Sequence, residues 1–232
     1  MNNASLELGG TNWAEKDGNI LGYSVGDTSG KYSPQEFTFA RGSNLSATRI
    51  DRAGLIVKGR ENVLLQSNGF DTTWTIANAS VTSGQSGYDG TNDAWKLEST
   101  SNSTESYIRQ TSSNSGVGSL SVYAKTGSVS NLFFYVGSSG ADPYAYFDLS
   151  NGTTGTSVND ISTSIQDAGN GFYRCTLVAN NIDQNINIYV TSSGSSAISS
   201  SGDFIYIQDA QLEQGLAASP YIPTTTTTAQ AG

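Results

Sequence analysis

The chain has 232 residues, a single cysteine, no histidine and a formal net charge of −9 at neutral pH. This length is enough for a large hydrophobic core, so disulfide bonds are not needed for stability. The absence of histidine excludes Ser-His-Asp and Cys-His catalysis and histidine-ligated metals. The acidic charge repels phosphate backbones and anionic lipids, so we expect no binding to nucleic acid or to membranes.

No stretch of the sequence reaches the roughly 18 consecutive apolar residues of a membrane span, and the N-terminus lacks the pattern of a signal peptide. We therefore expect a soluble product of the cytosol, or one exported by a route that its N-terminus does not show. Only 13% of the residues are charged, but 12 Tyr, 8 Phe and 3 Trp recur along the chain. This composition is typical of a folded β-protein and not of a disordered chain.

The first 36 residues contain many glycines and follow neither a strand period nor a helix period. Leu6 and Leu8, and then Ile20, Leu21 and Tyr23, predict a few short pairing segments there.

The next stretch predicts a hairpin, in which two short β-like runs between residues 48 and 58 are joined around Gly54. Five of the 11 basic residues of the chain fall between residues 41 and 60. Arg41, Arg49 and Arg52 are therefore candidates for docking against acidic subunits, since arginine pairs well with carboxylates. The alternative is a solvated hairpin, and particle assembly that survives charge reversal at Arg49 and Arg52 would favour it.

The segment NVLLQSNGFDTTW at residues 62–74 marks a change of pattern. Its apolar run predicts a strand, and Asn68-Gly69 predicts a tight turn because both residues tolerate positive φ. Phe70 and Trp74 follow as large anchors for a hydrophobic core.

Short runs of alternating apolar and polar residues then continue to about residue 221, separated by Gly, Ser, Asn and Thr turns. The predicted strands are 74–81, 94–97, 107–110, 120–125, 132–136, 144–149, 161–166, 172–178, 186–190 and 204–212. Helical periodicity is absent, and strands at this spacing predict a β-sandwich.

The last segment, Ser219-Pro220-Tyr221-Ile222-Pro223 followed by a run of threonines, contains two prolines and many β-branched residues. This pattern predicts an extended arm that cannot bury itself. We expect such an arm to become ordered by lying against a neighbouring subunit.

Several motifs occur in an order that resembles carbohydrate-binding-module jelly rolls. They are NVLLQSNGFDTTW at 62–74, AWKLE at 94–98, SVYAK at 121–125 and IYIQDAQLEQG at 205–215. Together with FTFARGSNLSATRIDRAGLI upstream, GNGFYRCTL at 169–177 and the closing SPYIPT, they resemble a module common in tailed-phage structural proteins.

The resemblance covers about residues 37–224 and implies a two-layered β-fold. We predict an all-β protein: a jelly-roll β-sandwich with an extended, loop-rich N-terminal docking segment. The predicted parts are a docking segment with a short hairpin at 1–61, the sandwich at 62–223 and an extended C-terminal arm at 224–232.

The resemblance also implies a place on a virion, with capsid or tail proteins as partners. We interpret the chain as a non-enzymatic virion structural protein, made in the host cytoplasm, that presents its sandwich on the particle surface. A homo-oligomer, such as a trimer, is the assembly expected by analogy, and host surface glycans are candidate ligands. The competing hypothesis is a free-standing carbohydrate-binding module that adsorbs to polysaccharide.

In similar carbohydrate-binding modules, motifs that correspond to Asp71 and Asp209 supply oxygen ligands to a structural Ca²⁺. The resemblance makes these two residues candidate calcium ligands, and a Gly-rich turn could add the carbonyl oxygens that calcium needs. The alternative is that Asp71 caps the turn and Asp209 forms a salt bridge.

Tyr123, Tyr135, Tyr144 and Tyr146 fall on strand positions opposite their apolar neighbours. They are candidates for a carbohydrate-binding face on which sugar rings stack while polar side chains bond the hydroxyl groups. The alternative is that each of them belongs to the core or its rim.

Catalysis has the least support in the sequence. Asp142 with Asp148, or Asp209 with Glu213, could serve as a glycosidase acid and base, but their spacing is equally typical of solvated charges at strand ends. We interpret Cys175 as a small buried apolar residue and not as a nucleophile.

Overall fold

A computed structural model of the chain describes residues 14–16, 19–24, 33–36, 48–50, 56–112, 116–137, 142–180, 182 and 184–230. Every regular element within these residues is a β-strand, which confirms the all-β prediction. No described segment forms a helix with the length and apolarity needed to cross a bilayer. The chain divides into two compact units, Met1–Ser43 and Asn44–Gly232, and the predicted boundary after residue 61 falls inside the second.

The first unit contains a small antiparallel sheet. Its three described strands are β1 (Ala14–Lys16), β2 (Asn19–Ser24) and β3 (Ser33–Glu36), with β2 in the middle. The apolar group Ile20, Leu21 and Tyr23 lies on β2, so the predicted pairing segment there is confirmed. Leu6 and Leu8 lie outside the described residues.

The second unit begins with the predicted hairpin. Strand β4 (Thr48–Ile50) pairs antiparallel with β5 (Ile56–Lys58), and Arg49 is opposite Val57. Arg41 and Arg52 lie outside the described residues, so docking through these arginines stays a prediction.

Two antiparallel sheets follow and form the jelly-roll sandwich. In chain order, their strands are β7 (Thr75–Ala77), β8 (Ala79–Gln85), β9 (Ala94–Ser99), β10 (Thr104–Ser112), β11 (Gly118–Thr126), β12 (Asn131–Val136), β13 (Tyr144–Asp148), β14 (Thr153–Val158), β15 (Asp160–Gly169), β16 (Phe172–Ala179), β17 (Gln184–Thr191), β18 (Ile198–Ser199) and β19 (Phe204–Gln214). The seven-stranded sheet has the order β14-β13-β12-β17-β10-β18, with β7 also paired to β10. The six-stranded sheet has the order β15-β16-β11-β19-β9-β8.

The core lies between the two sheets because strands in both sheets turn apolar side chains inward. On β12, for example, Leu132, Phe134 and Val136 are fully buried in the main cluster, and on β11 Leu120 and Val122 face them from the other sheet. Each such side chain contributes roughly 1.5–3 kcal/mol through burial. The alternation of residues thus identified the core face of these two strands correctly.

The segment at 62–74 runs along β19 and closes the predicted turn. Val63 N donates to Leu212 O at 3.0 Å, and Ala210 N donates to Ser67 O at 2.8 Å. Gly69 N donates to Gln66 O at 2.9 Å, and the residue with positive φ in this turn is Gln66, at 49°. The sequence thus located the turn correctly but assigned positive φ to the wrong residues, because the register against β19 decides where the chain reverses.

The last described residues form a segment that we call the C-terminal strap, residues 219–230. Its strand β20 (Ala229–Gln230) pairs with β6 (Glu61–Asn62), and Thr224 Oγ1 donates to Leu64 O at 2.5 Å. The side chains of Ile222 and Thr224 are only 6% and 7% exposed. The prediction that this arm cannot bury itself is therefore wrong.

The reason is a set of buried polar partners on the sandwich that the local sequence does not reveal. Asn62 Nδ2 donates to Ile222 O at 2.9 Å, and Ile222 N donates to Gln211 Oε1 at 2.6 Å. Glu213 accepts hydrogen bonds from the backbone and the hydroxyl of Ser219, at 2.7 and 2.6 Å. The strap thus becomes ordered within its own chain.

Candidate functional site

An aromatic cluster covers part of the outer face of the seven-stranded sheet. Its side chains alternate along the strands with core residues, so they point away from the sandwich interior. We call this set the aromatic platform: Tyr107 on β10, Phe133 and Tyr135 on β12, Tyr144 and Tyr146 on β13, and Tyr189 on β17.

The platform is built from two rows that cross four adjacent strands in register. The first row is Tyr146, Phe133, Tyr189 and Tyr107, each opposite the next. The second row is Tyr144, Tyr135, Asn187 and Arg109. Since neighbouring strands lie about 4.8 Å apart, each row spans roughly 14 Å across the strands.

The rings of the platform are in mutual contact. Phe133 is the centre, with its ring centroid 4.2 Å from Tyr146 in a stacked arrangement and 5.0 Å from Tyr189. Tyr107 joins Tyr189 at 4.8 Å, and Tyr144 meets Phe133 edge-on at 5.7 Å. Contacts of this kind add stability beyond the area they bury and hold the rings in one orientation.

Burial divides the platform into a floor and a rim. Phe133, Tyr146 and Tyr189 are 5%, 7% and 5% exposed and form the floor. Tyr107, Tyr135 and Tyr144 are half-buried and form the rim. A ligand on this face therefore meets the rim tyrosines, while the floor supports them.

Polar groups surround the rim. The Tyr135 hydroxyl donates to Asp142 Oδ2 at 3.2 Å, and the guanidinium of Arg109 lies 5.8 Å from the centre of the Tyr107 ring. Asn187 Nδ2 donates to the backbone oxygen of Tyr135 at 2.9 Å, which fixes the second row at its middle. The face thus offers aromatic surface and hydrogen-bonding groups side by side.

Three phenol groups of the platform, those of Tyr135, Tyr146 and Tyr189, have raised pKa values. Burial raises the pKa of Tyr135, and the nearby charge of Asp142 raises it further. Burial also raises the pKa of Tyr146 and of Tyr189, and the charge of Glu105 adds to both shifts. These hydroxyls therefore remain able to donate hydrogen bonds at any physiological pH.

The structure brings together three of the four tyrosines that the sequence selected. Tyr135, Tyr144 and Tyr146 belong to the platform, but Tyr123 lies on β11 in the six-stranded sheet. There its ring stacks on Tyr88, with centroids 3.9 Å apart. The prediction that all four could line one face is wrong for Tyr123, because alternation identifies an outward position but not the sheet to which its strand belongs.

Sequence reasoning missed Tyr107, Phe133 and Tyr189 as members of this face. A signal for Tyr189 was present, because it stands between the core residues Ile188 and Val190 and so must point outward. Sequence alone could not show that this outward position adjoins β12.

Asp209 lies in a separate polar network at the six-stranded sheet. It is 4% exposed and has a φ of 55°, at a bulge where β19 shifts register against β11. Tyr88 Oη donates to Asp209 Oδ2 at 2.9 Å, and Tyr221 also hydrogen bonds to this carboxylate. In the described structure, the Asp209 carboxylate is thus paired with tyrosines. The salt bridge that the sequence analysis offered as the alternative to calcium binding is not found there.

Burial raises the pKa of Asp209 to about 6. The charges of Asp93 and Asp89 raise it as well, whereas the hydrogen bonds from Tyr88 and Tyr221 lower it. Desolvation is the dominant cause, as is typical of a carboxyl group that is largely buried.

The surroundings do not fit the calcium ligands expected at Asp71 and Asp209. Within the part of the chain that the structure describes, no three or more Asp, Glu, His or Cys side chains are grouped to hold a metal ion. Asp71 is exposed, and two carbonyl oxygens of the adjoining turn accept hydrogen bonds from the indoles of Trp74 and Trp95. Calcium binding at these residues stays a prediction, and a melting temperature (Tm) unchanged by added Ca²⁺ and by a chelator would contradict it.

The other groups considered for catalysis have structural surroundings. Asp148 accepts hydrogen bonds from the side chains of Ser150 and Asn151, at 2.6 and 2.7 Å. Glu213 is 1% exposed and binds the strap through Ser219. Cys175 is fully buried, which confirms that it is a core residue, and burial raises the pKa of its thiol.

No protein-family model and no curated protein matches the sequence. Among solved structures, the enzymatically active domain of tailspike protein 4 of bacteriophage CBA120 is similar over 65% of this chain and 21% of that chain, at 17% identity and a TM-score of 0.40. A family 29 carbohydrate-binding module, solved as a mutant, is similar over 70% and 96% of the two chains, at 11% identity and a TM-score of 0.40.

A third structure holds the CBM22-1 and GH10 modules of xylanase 10B from Clostridium thermocellum with xylohexaose, and is similar at 10% identity and a TM-score of 0.36. It covers 68% of this chain and 28% of that chain. The chain thus spans about a fifth of the tailspike domain and somewhat more than a quarter of the two-module xylanase chain. At this level of similarity, nothing about ligand or activity follows for this protein.

Proposed function

We propose that this protein binds glycan chains on the aromatic platform without catalysing a reaction on them. The single observation that carries this proposal is the pair of in-register rows on the outer sheet face, one of them wholly aromatic and the other combining two tyrosines with Asn187 and Arg109.

Sugars suit this face because each pyranose ring has an apolar side made of C–H groups and a rim of hydroxyls. Aromatic rings take the apolar side, and a few fixed polar groups bond the hydroxyls and set the orientation. Tyr107, Tyr135 and Tyr144 offer both ring surface and phenol hydroxyls, and Arg109 offers further donors.

The arrangement of the rows favours an oligosaccharide segment over a single sugar. Both rows run perpendicular to the strands and span roughly 14 Å, since they cross four strands. A bound chain would therefore lie across the sheet, with several sugar rings over the rim tyrosines.

Absence of catalysis is part of the proposal. The sequence has no histidine, the only thiol is buried, and Asp148 is engaged by its own turn. Hydrogen bonds from Ser150 and then from Asn151 lower the pKa of Asp148, which suits a carboxylate and not a general acid.

The biological setting that we propose is the surface of a phage particle, where the sandwich would present the platform to host glycans. Its support is the series of sequence motifs described above. The expected ordering of the C-terminal arm by a neighbouring subunit does not support this setting, because the C-terminal strap is held by its own chain. The alternative setting, a free-standing module that adsorbs to polysaccharide, uses the same platform.

Affinity electrophoresis in gels that contain soluble neutral polysaccharides tests the binding proposal. We expect retardation of the full-length protein, and we expect Tyr135→Ala and Tyr144→Ala each to weaken it by about tenfold, equivalent to about 1.4 kcal/mol. The matched control is Tyr206→Ala, since Tyr206 is a half-buried tyrosine on the outer face of the six-stranded sheet.

Two results would contradict the proposal. One is the absence of retardation on every glucan, mannan, xylan and galactan tried. The other is a loss of binding in Tyr206→Ala as large as in the platform variants, which would locate the contact elsewhere.

A further inference from the structure

Carboxylates lie next to the rim of the platform. Glu105 is exposed on β10, two residues before Tyr107, so both side chains project from the same face. Asp142 accepts the hydroxyl hydrogen bond of Tyr135. A ligand on the rim thus meets one carboxylate near Tyr107 and a second at Tyr135.

The charge of Glu105 affects several tyrosines of the platform. Its charge acts on Tyr135, Tyr146 and Tyr189, which lie on three different strands. Arg109 is the one cation among the described residues of the two rows, and its guanidinium lies near the Tyr107 ring, at the β10 end of the row. Among the described residues at the rim, the carboxylates of Glu105 and Asp142 thus outnumber the single cation, Arg109.

We propose that Glu105 and Asp142 make the platform selective for uncharged glycans, so that uronic-acid and sulfated chains are rejected. This inference rests on the proposed function and specifies the chemical class of its ligand. The physical cause is like-charge repulsion at a surface from which the bound ligand displaces water. Such repulsion is screened by salt, so the selectivity has an ionic-strength dependence that a purely steric filter lacks.

Paired polymers that differ in charge but share a backbone test this proposal. The first pair is hydroxyethylcellulose and carboxymethylcellulose, and the second is galactomannan before and after oxidation of its primary hydroxyls to carboxylates. At low salt we expect the full-length protein to bind the neutral member at least about tenfold more tightly than the charged one. In about 1 M salt, where the Debye length is about 3 Å, we expect this ratio to shrink severalfold.

The variants Glu105→Gln and Glu105→Gln/Asp142→Asn remove the charges stepwise. We expect the ratio of the two dissociation constants to fall in the single variant and to approach one in the double variant. The matched control is Glu98→Gln/Asp167→Asn, which removes the same number of charges from strands β9 and β15 of the other sheet. We expect that control to keep the ratio of the unmodified protein.

Equal binding of the neutral and charged polymers at low salt would overturn the selectivity while leaving glycan binding in place. A ratio that falls as much in the control as in the platform variants would also overturn it, because the effect would then reflect net charge alone. Retention on neither member of either pair, together with no retention on the other neutral polymers, would instead overturn the proposed function itself.

Discussion

At the scale of single residues, Asp209 is the most unusual position in the sandwich. It combines a positive φ with nearly complete burial, and two tyrosine hydroxyls share its carboxylate. Aspartate and asparagine tolerate this left-handed backbone better than most other residues. Asp209 therefore suits the backbone conformation of the bulge in β19, but its carboxyl group is removed from water.

The raised pKa of Asp209 makes stability depend on pH. Because its folded value of about 6 exceeds the ordinary value near 4, the folded protein holds this proton more tightly than the unfolded chain. Its contribution is therefore most favourable below about pH 4 and is lost as pH rises to about 6 and beyond. The size of this loss is roughly 2–3 kcal/mol.

We expect Asp209→Asn to flatten the dependence of the unfolding free energy on pH between about 4 and 6. Urea denaturation at several pH values measures this dependence. Asparagine is the suitable replacement because it keeps an acceptor for Tyr88 and tolerates a positive φ. Asp148→Asn is the control of opposite sign, because hydrogen bonds from Ser150 and Asn151 lower the pKa of Asp148. That variant should lose stability at neutral pH, and an unchanged pH profile in Asp209→Asn would contradict the assignment.

The floor and the rim of the platform should respond differently to truncation. Phe133→Ala removes a ring that is 5% exposed and touches several neighbours, so we expect a loss of about 3 kcal/mol in unfolding free energy. Tyr144→Ala removes a half-buried ring, so we expect a change of less than about 1 kcal/mol together with weaker glycan binding. Chemical denaturation measures the stability of the two variants, and affinity electrophoresis measures their glycan binding. Equal destabilisation by the two substitutions would contradict the division of the platform into a floor and a rim.

At the scale of elements, the C-terminal strap shows how a polar and proline-containing segment becomes ordered. Its backbone groups meet buried polar side chains: Asn62 Nδ2 donates to Ile222 O, and Gln211 Oε1 accepts from Ile222 N. Glu213, 1% exposed, is accommodated because Ser219 donates to both of its oxygens. The strap therefore belongs to the sandwich.

We expect Thr224→Val to lower the unfolding free energy by about 1–3 kcal/mol, because it removes buried hydrogen bonds at nearly constant volume. Thr224 Oγ1 donates to Leu64 O and accepts from Ser67 N at 3.2 Å. Thr226→Val is the matched control, since Thr226 is exposed, and it should change stability by less than about 0.5 kcal/mol. Urea denaturation compares the unfolding free energies of the two variants. Equal values would mean that the hydrogen bonds of Thr224 in the strap contribute little to stability.

At the scale of the whole molecule, the platform depends on the order of strands in one sheet. Tyr107, Phe133 and Tyr189 become neighbours because β12 and β17 pair next to β10. The proposed binding face is therefore a property of the assembled sheet, and the same aromatic residues in another register would be dispersed.

The two proposed settings differ in oligomeric state. A virion component is expected to form a homo-oligomer, and a trimer would have three times the mass of the 24.3 kDa chain. A free-standing module is expected to be a monomer. Static light scattering on the full-length protein measures this mass, and a glycan-binding monomer would contradict the virion setting.

The local sequence was sufficient for the direction of side chains in regular strands such as β12, because that direction reverses at every residue where no bulge interrupts the strand. Alternation alone placed Leu132, Phe134 and Val136 in the core and Tyr135 outside it. It also excluded histidine chemistry and indicated that Cys175 is buried.

Only the tertiary structure decided which strands are neighbours, because pairing partners are distant in sequence and no local pattern encodes the sheet that a strand joins. Strand pairing places Tyr123 in the other sheet, away from the candidate site, and places Tyr107 and Tyr189 within it. It also gave the C-terminal strap its partners, since Asn62 and Ile222 are 160 residues apart in the chain and meet in the folded structure.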